Sequence, residues 1–218
     1  MLHIEEPVAK TFPGLKVLDC TMRDVKVSGS DPSLQRAKEE VAAEVRSKFS
    51  LETLKDQQPM RAYRDFFWRV GIDPTKNRPA SEALIRRILS GRSLPTINTL
   101  VDAYNIASIR SGVPMAAFDR ERLKGSLRMR FARPGERFLG IGMEAPVELK
   151  GMEIVIEDDE GLTAIYPYRD AERTKITLES KGAVLLFCGA PGVEEDRLEY
   201  SKGECIKQIT RFCGGTLA

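Results

Sequence analysis

The spacing of apolar positions changes twice along the chain, and each change predicts a change of structure. Over residues 2–27 apolar side chains come in short runs. They break at Phe12-Pro13-Gly14 and partly alternate over residues 15–22, which predicts short strands. After the Ser28-Gly29-Ser30-Asp31 loop, Leu34, Ala37, Val41 and Val45 recur at helical spacing with charged residues between them. Asp31 supplies an N-cap and Pro32 a first helical residue, so a helix is predicted to about Phe49. Further helices are predicted from Ser50 to the break at Gln58-Pro59, over residues 60–70 with Gly71 as C-cap, from an opening at Arg78-Pro79-Ala80-Ser81-Glu82 to about Leu89, and over residues 98–111 with Gly112 closing the last.

Beyond that point the period returns to two. Residues 127–132 alternate as a strand, and 138–143 and 153–157 look like further strands. Asp158-Asp159-Glu160-Gly161 reads as a solvated turn into a strand over 162–168. Residues 184–188 form a buried strand, and Ala190-Pro191-Gly192-Val193 turns into a last helix over 194–210. Strands, then helices, then strands imply an α+β fold with helices packed on mixed or antiparallel sheets.

Composition narrows the chemistry. Of 218 residues, 42% are hydrophobic, which is enough for a core and excludes a disordered chain. No run approaches the ~20 apolar residues of a membrane helix. The first residues show no basic segment followed by an apolar one, so a cytoplasmic protein without a membrane is expected. Cys20, Cys188, Cys205 and Cys213 form no C-x-x-C pair, and His3 is the only histidine. That argues for reduced, buried thiols, for no metal site of the thiolate/imidazole kind and for no cofactor. It also argues against a Ser-His-Asp or Cys-His unit. Any catalysis falls to carboxylates, backbone donors, a bound water or the substrate itself.

The net charge of +2 is unevenly spread: residues 61–137 carry 16 Lys/Arg against 7 Asp/Glu. A basic centre fits an anionic partner; it equally fits arginines paired with the acidic ends inside the fold.

The ordered series Tyr63-Arg64-Asp65-Phe66-Phe67, Gly71-Ile72-Asp73-Pro74, Arg78-Pro79-Ala80-Ser81-Glu82, Leu94-Pro95-Thr96-Ile97-Asn98, Val113-Pro114-Met115-Ala116-Ala117-Phe118-Asp119 and Phe138-Leu139-Gly140-Ile141-Gly142 resembles the B-three/B-four domain of the phenylalanyl-tRNA synthetase beta subunit. It is still more similar to free-standing proteins built from that tRNA-binding and editing domain. The likeness is strongest over residues 60–218, with 1–59 as N-terminal strands and helix, and implies one domain of that fold. It implies tRNA, or the 3′ end of an aminoacyl-tRNA, as partner. As an activity it implies hydrolysis of mischarged aminoacyl-tRNA in trans. The class II synthetase motifs are absent, so aminoacylation is not expected. Two departures stand out. Ala116 occupies the position where the bacterial synthetase pattern has a histidine, and 164–172 replaces a glycine-rich, glutamate-containing stretch of the pocket.

Through this resemblance Asp170 or Glu172 would position water, and Arg78 or Arg169 would hold phosphate or carboxylate. Asn98 and Asn105 would supply hydrogen bonds, and Tyr166 and Tyr168 would stand in the pocket wall. Read from spacing, Asn98, Asp102 and Asn105 share one helix side and either line a polar pocket or serve as an N-cap and a buried partner for arginine. Arg78, Glu82 and Arg86 form either an ion network or a phosphate grip. Tyr63, Phe66, Phe67 and Trp68 are either core or stacking platforms. The alternative to an enzyme is a non-catalytic module of the same fold that binds RNA, an amino acid or a protein. Nothing in the sequence speaks to oligomeric state.

Overall fold

The computed structural model describes residues 2–218; Met1 lies outside the described residues. Two sheets and six helices carry the fold among the described residues. The first sheet runs β1 (His3–Ile4), β4 (Arg128–Phe131), β7 (Ile154–Asp158), β8 (Gly161–Tyr166), β9 (Arg169–Asp170). Its β1–β4 pair is parallel and the rest are antiparallel. The second runs β11 (Thr216–Leu217), β2 (Val17–Arg23), β10 (Gly182–Cys188), β3 (Met115–Asp119), all antiparallel. A short ribbon pairs β5 (Arg137–Phe138) with β6 (Val147–Glu148). The α+β expectation holds, with mixed and antiparallel sheets.

The helices are α1 (Glu6–Thr11), α2 (Pro32–Lys48), α3 (Met60–Arg69), α4 (Ala80–Leu89), α5 (Thr99–Ser111) and α6 (Glu195–Cys213). Two starts are as the sequence predicts. Asp31 accepts the Leu34 N–H at 2.8 Å, and Asn98 accepts the Val101 N–H at 2.9 Å, each satisfying a donor the helix cannot pair internally. Gly112 ends α5 at φ +73°, a conformation costly for other L-residues, and a side chain there would meet Pro59.

Four local readings are corrected. The strand expectation over residues 2–27 misses α1, a helix too short to show periodicity and burying only Val8. The helix expected from Ser50 shrinks to one 3₁₀ turn, Leu54–Asp56, because only Leu54 there reaches the core. The strand expected over 138–143 ends at Phe138; beyond it only Gly140 bridges, to Ala171. The strand β3 was not foreseen, since all five of its residues are buried and nothing alternates.

The inner end of β10 anchors the packing. Tyr63 of α3 donates its hydroxyl to the Cys188 carbonyl, and Tyr166 of β8 donates to the Gly189 carbonyl, both at 2.7 Å. Tyr63, Phe66 and Phe67 are buried and Trp68 is exposed, so three of the four aromatics are core. Phe66 meets Phe12 and Tyr166 edge-on at 5.1 and 6.2 Å. Each such aromatic contributes about 1.5–3 kcal/mol by burial. A second apolar cluster joins α2, α4 and α5 through Leu34, Val41, Ile85, Ile88 and Ile106. All four cysteines are free and buried. No helix among the described residues is long and apolar enough to cross a membrane.

Candidate functional site

Two sheet edges approach one another. Strand β9 ends the first sheet and β3 ends the second, so each has one side without a strand partner. The link between them is a single hydrogen bond, from the Ala117 N–H of β3 to the Asp170 carboxylate of β9 at 3.3 Å. A cleft of about 380 Å³ opens beside this junction, between α5 and the 166–170 segment. That volume falls within the range of small-ligand sites.

The cleft lining is graded by exposure. At the mouth, Ile97 and Ile141 are 55% and 41% exposed. Midway stand Tyr104, Asn105, Tyr168, Arg169 and Asp170, all half-buried. At the floor, Met115, Ala116, Ile156, Ala164, Ile165, Tyr166, Pro167 and Cys188 are buried. Polar side chains thus occupy the middle, and apolar ones both ends.

The middle zone holds the chemistry. Burial pushes the Asp170 carboxyl up to about 7, and the Ala117 N–H pulls only partly the other way. No cation pairs with Asp170 among the described residues. The Tyr104 hydroxyl and the Asn105 amide make no hydrogen bond among the described residues, so both are free to meet a ligand. Burial and the nearby Asp170 charge push the Tyr104 phenol and the Cys188 thiol upward, so both keep their protons at neutral pH.

The lips of the cleft are braced. Tyr168 donates its hydroxyl to Asn77 Oδ1 at 2.9 Å. The Arg169 guanidinium lies 5.1 Å from the Tyr168 ring and donates to the Ile141 carbonyl at 2.9 Å. The Arg169 methylene stem passes over Gly140, where a Cβ would run into it. Tyr166 is held by Gly189 and Tyr168 by Asn77, so neither tyrosine fills the cleft.

The structure divides the residues singled out from the sequence. Asn105, Ala116, Tyr166, Tyr168, Arg169 and Asp170 come together on one cleft. Glu172 does not: it pairs with Lys175 and lines a separate depression of about 500 Å³ with Glu136 and Arg173. Asn98 is the α5 cap. Asp102 is buried, but its partner is Lys38 at 2.9 Å rather than an arginine. Glu82 is fully buried against Arg86 at 2.8 Å and Arg64 at 3.1 Å. Arg78 stands outside that network, exposed and without an ion pair among the described residues, one residue from the Asn77 lip. The basic centre is mixed in the same way. Arg110 pairs with Glu44 and Glu204, and Arg130 with Glu157, whereas Lys76 and Arg78 make no ion pair among the described residues.

Tyr104, Ile97 and Cys188 were not singled out as site residues. Tyr104 directly precedes Asn105, but nothing in the spacing shows which of the two faces a cleft.

The fold and the site define an α+β domain with a ligand-sized cleft where two sheet edges meet. A family model described as the B3/4 domain matches residues 62–200, and the chain belongs to that family. Over 130 residues it is 33% identical to the phenylalanine–tRNA ligase beta subunit of Mycolicibacterium paratuberculosis, covering 59% of this chain and 15% of that protein. Over 128 residues it is 36% identical to the same subunit of Bartonella quintana, covering 54% and 16%. The chain therefore spans only a small fraction of the length of these relatives. An N-terminal fragment of the phenylalanyl-tRNA synthetase beta subunit from Pyrococcus horikoshii shares the fold at a TM-score of 0.54 and 12% identity, covering 100% of this chain and 50% of the fragment.

Proposed function

We propose that the cleft receives the aminoacylated 3′ end of a tRNA and that the chain hydrolyses the ester of a mischarged amino acid in trans. The observation that carries this reading is an unpaired Asp170 carboxyl beside the unengaged Tyr104 hydroxyl and Asn105 amide, on one cleft of ligand size. The substrate class comes from the relatives, which are beta subunits of a tRNA ligase.

The chemistry is ester hydrolysis by water. The Asp170 carboxylate takes a proton from the water as its oxygen attacks the ester carbonyl carbon. The Asn105 N–H and the Tyr104 O–H donate to the oxygen that gains charge. The bond to the ribose oxygen then breaks, and Asp170 returns the proton to that oxygen. Free amino acid and uncharged tRNA result. With pKa near 7, Asp170 can both accept and release a proton at neutral pH. Lys76 and Arg78, beside the Asn77 lip, are positioned for phosphates of the incoming strand.

Deacylation of a panel of mischarged tRNAs tests the reading. Clearance of at least one faster than buffer is expected, and clearance of none would sink it. Binding of uncharged tRNA should weaken as salt rises, because phosphate contacts release counterions. Salt-dependent binding without clearance would favour a non-catalytic tRNA-binding module.

A further inference from the structure

The order of polarity along the cleft carries more than a site. The two mouth isoleucines are largely exposed, the polar residues are half-buried, and the floor is buried and apolar. A ligand that satisfies all three zones has a flat apolar end, a polar middle and an apolar tip. An aminoacyl-adenosine with its base at Ile97 and Ile141 and its ester at Tyr104, Asn105 and Asp170 puts the amino-acid side chain on the floor. There it meets Ala116, Ile156, Ala164 and Ile165, which offer it no hydrogen-bonding side-chain group. The Tyr166 hydroxyl is already spent on the Gly189 carbonyl. Besides that hydroxyl, the buried lining side chains carry only the Met115 thioether and the Cys188 thiol as heteroatoms, both weak hydrogen-bonding groups.

We infer that the aminoacyl group accepted by this cleft carries an apolar side chain, of the aliphatic, thioether or phenyl class, and that Ala116 and Ala164 set how large it can be. This rests on the proposed placement of the ester at Asp170. A side chain bearing a hydroxyl or a charge would be stripped of water on the floor and find no partner. An apolar pocket rejects an added hydroxyl by up to about 10²-fold and distinguishes one methylene by about 10–200-fold. Those limits fix what the preference can look like.

The test uses adenosine analogues with an amide in place of the 3′ ester, which bind without being cleaved. Their side chains are phenylalanine, methionine, tyrosine, serine and alanine, and affinity is read by calorimetry. Phenylalanine and methionine analogues should bind at least 10-fold tighter than the serine analogue, and phenylalanine tighter than tyrosine. Ala164→Val should weaken the phenylalanine analogue about 10-fold or more and leave the alanine analogue unchanged. Ala116→Val, on the edge strand β3, is the second variant should Ala164→Val lower the melting temperature. Equal affinity across the series, or tighter binding of serine or tyrosine, overturns the inference. Deacylation is scored separately: the expected affinity order without hydrolysis of any charged tRNA would retain the inference and remove the catalytic step.

Discussion

Glu82 and Asp102 on the helices and Asp170 at the sheet junction are all acids withdrawn from bulk water, yet their surroundings are opposite. Asp102 accepts the Lys38 ammonium at 2.9 Å and the Ile97 N–H at 3.1 Å. Glu82 takes two guanidinium groups within 3.1 Å. Asp170 has one backbone N–H at 3.3 Å and a cleft. A buried charge with its partners in place is committed to the fold, and removing one partner strands the other. A carboxyl without a cation holds its proton more tightly and stays available to a ligand. Sequence spacing treats these acids alike; the distribution of cations separates them.

Breaking the paired side should give the largest effect. Asp102→Ala leaves the Lys38 ammonium buried, and unfolding in denaturant should show a loss of about 3–5 kcal/mol. The unpaired side should respond with the opposite sign. The folded pKa of Asp170 is about 7, above its ordinary value of 3.8. Between those values the folded state binds more protons than the unfolded one, so this group's contribution to stability falls as pH rises from about 4 to 7. Asp170→Asn removes that loss. The variant should therefore be more stable than the parent at pH 8, by on the order of 2 kcal/mol once screening by solvent in the cleft is allowed for, and show no such gain at pH 4. Melting curves at the two pH values check this.

Smaller effects test the borders of the comparison. Tyr168→Phe removes the hydrogen bond to Asn77 and should cost about 0.5–1.5 kcal/mol, with a raised KM for the charged tRNA. Glu172→Gln breaks only a surface pair with Lys175, so stability should move by less than about 1 kcal/mol and deacylation should stay within about twofold. A large loss of activity in that variant would return Glu172 to the catalytic group and weaken the case for Asp170.

Much of the helical part of the fold was legible, because its signals are local. Asp31-Pro32 and Asn98 mark starts, Gly71 and Gly112 mark ends, and Leu34, Val41 and Val45 mark a buried face. Strand β3 was not, since a fully buried strand has no alternation to read. Helix α1 was hidden by its six-residue length. Of the candidate site, Asn105, Ala116 and the 166–170 segment, which the resemblance names, line a single cleft. The resemblance did not separate Asp170 from Glu172, only two residues apart. They part company because Asp170 turns toward Ala117, 53 positions away in sequence, and Glu172 lies in the turn that follows, against Lys175. The partner of Asp102 was missed for a similar reason: Lys38 is 64 positions away.

The claim that Asp170 works as the base in this cleft is tested most directly by a pH–rate profile of deacylation. One mischarged tRNA that the parent chain clears is used, with the buffer rate subtracted. The parent rate should rise about tenfold per pH unit below pH 7 and level off above it, and Asp170→Asn should lower the plateau by about 10²–10⁴-fold and abolish the inflection. An Asp170→Asn chain that keeps its rate and the same inflection would contradict the account.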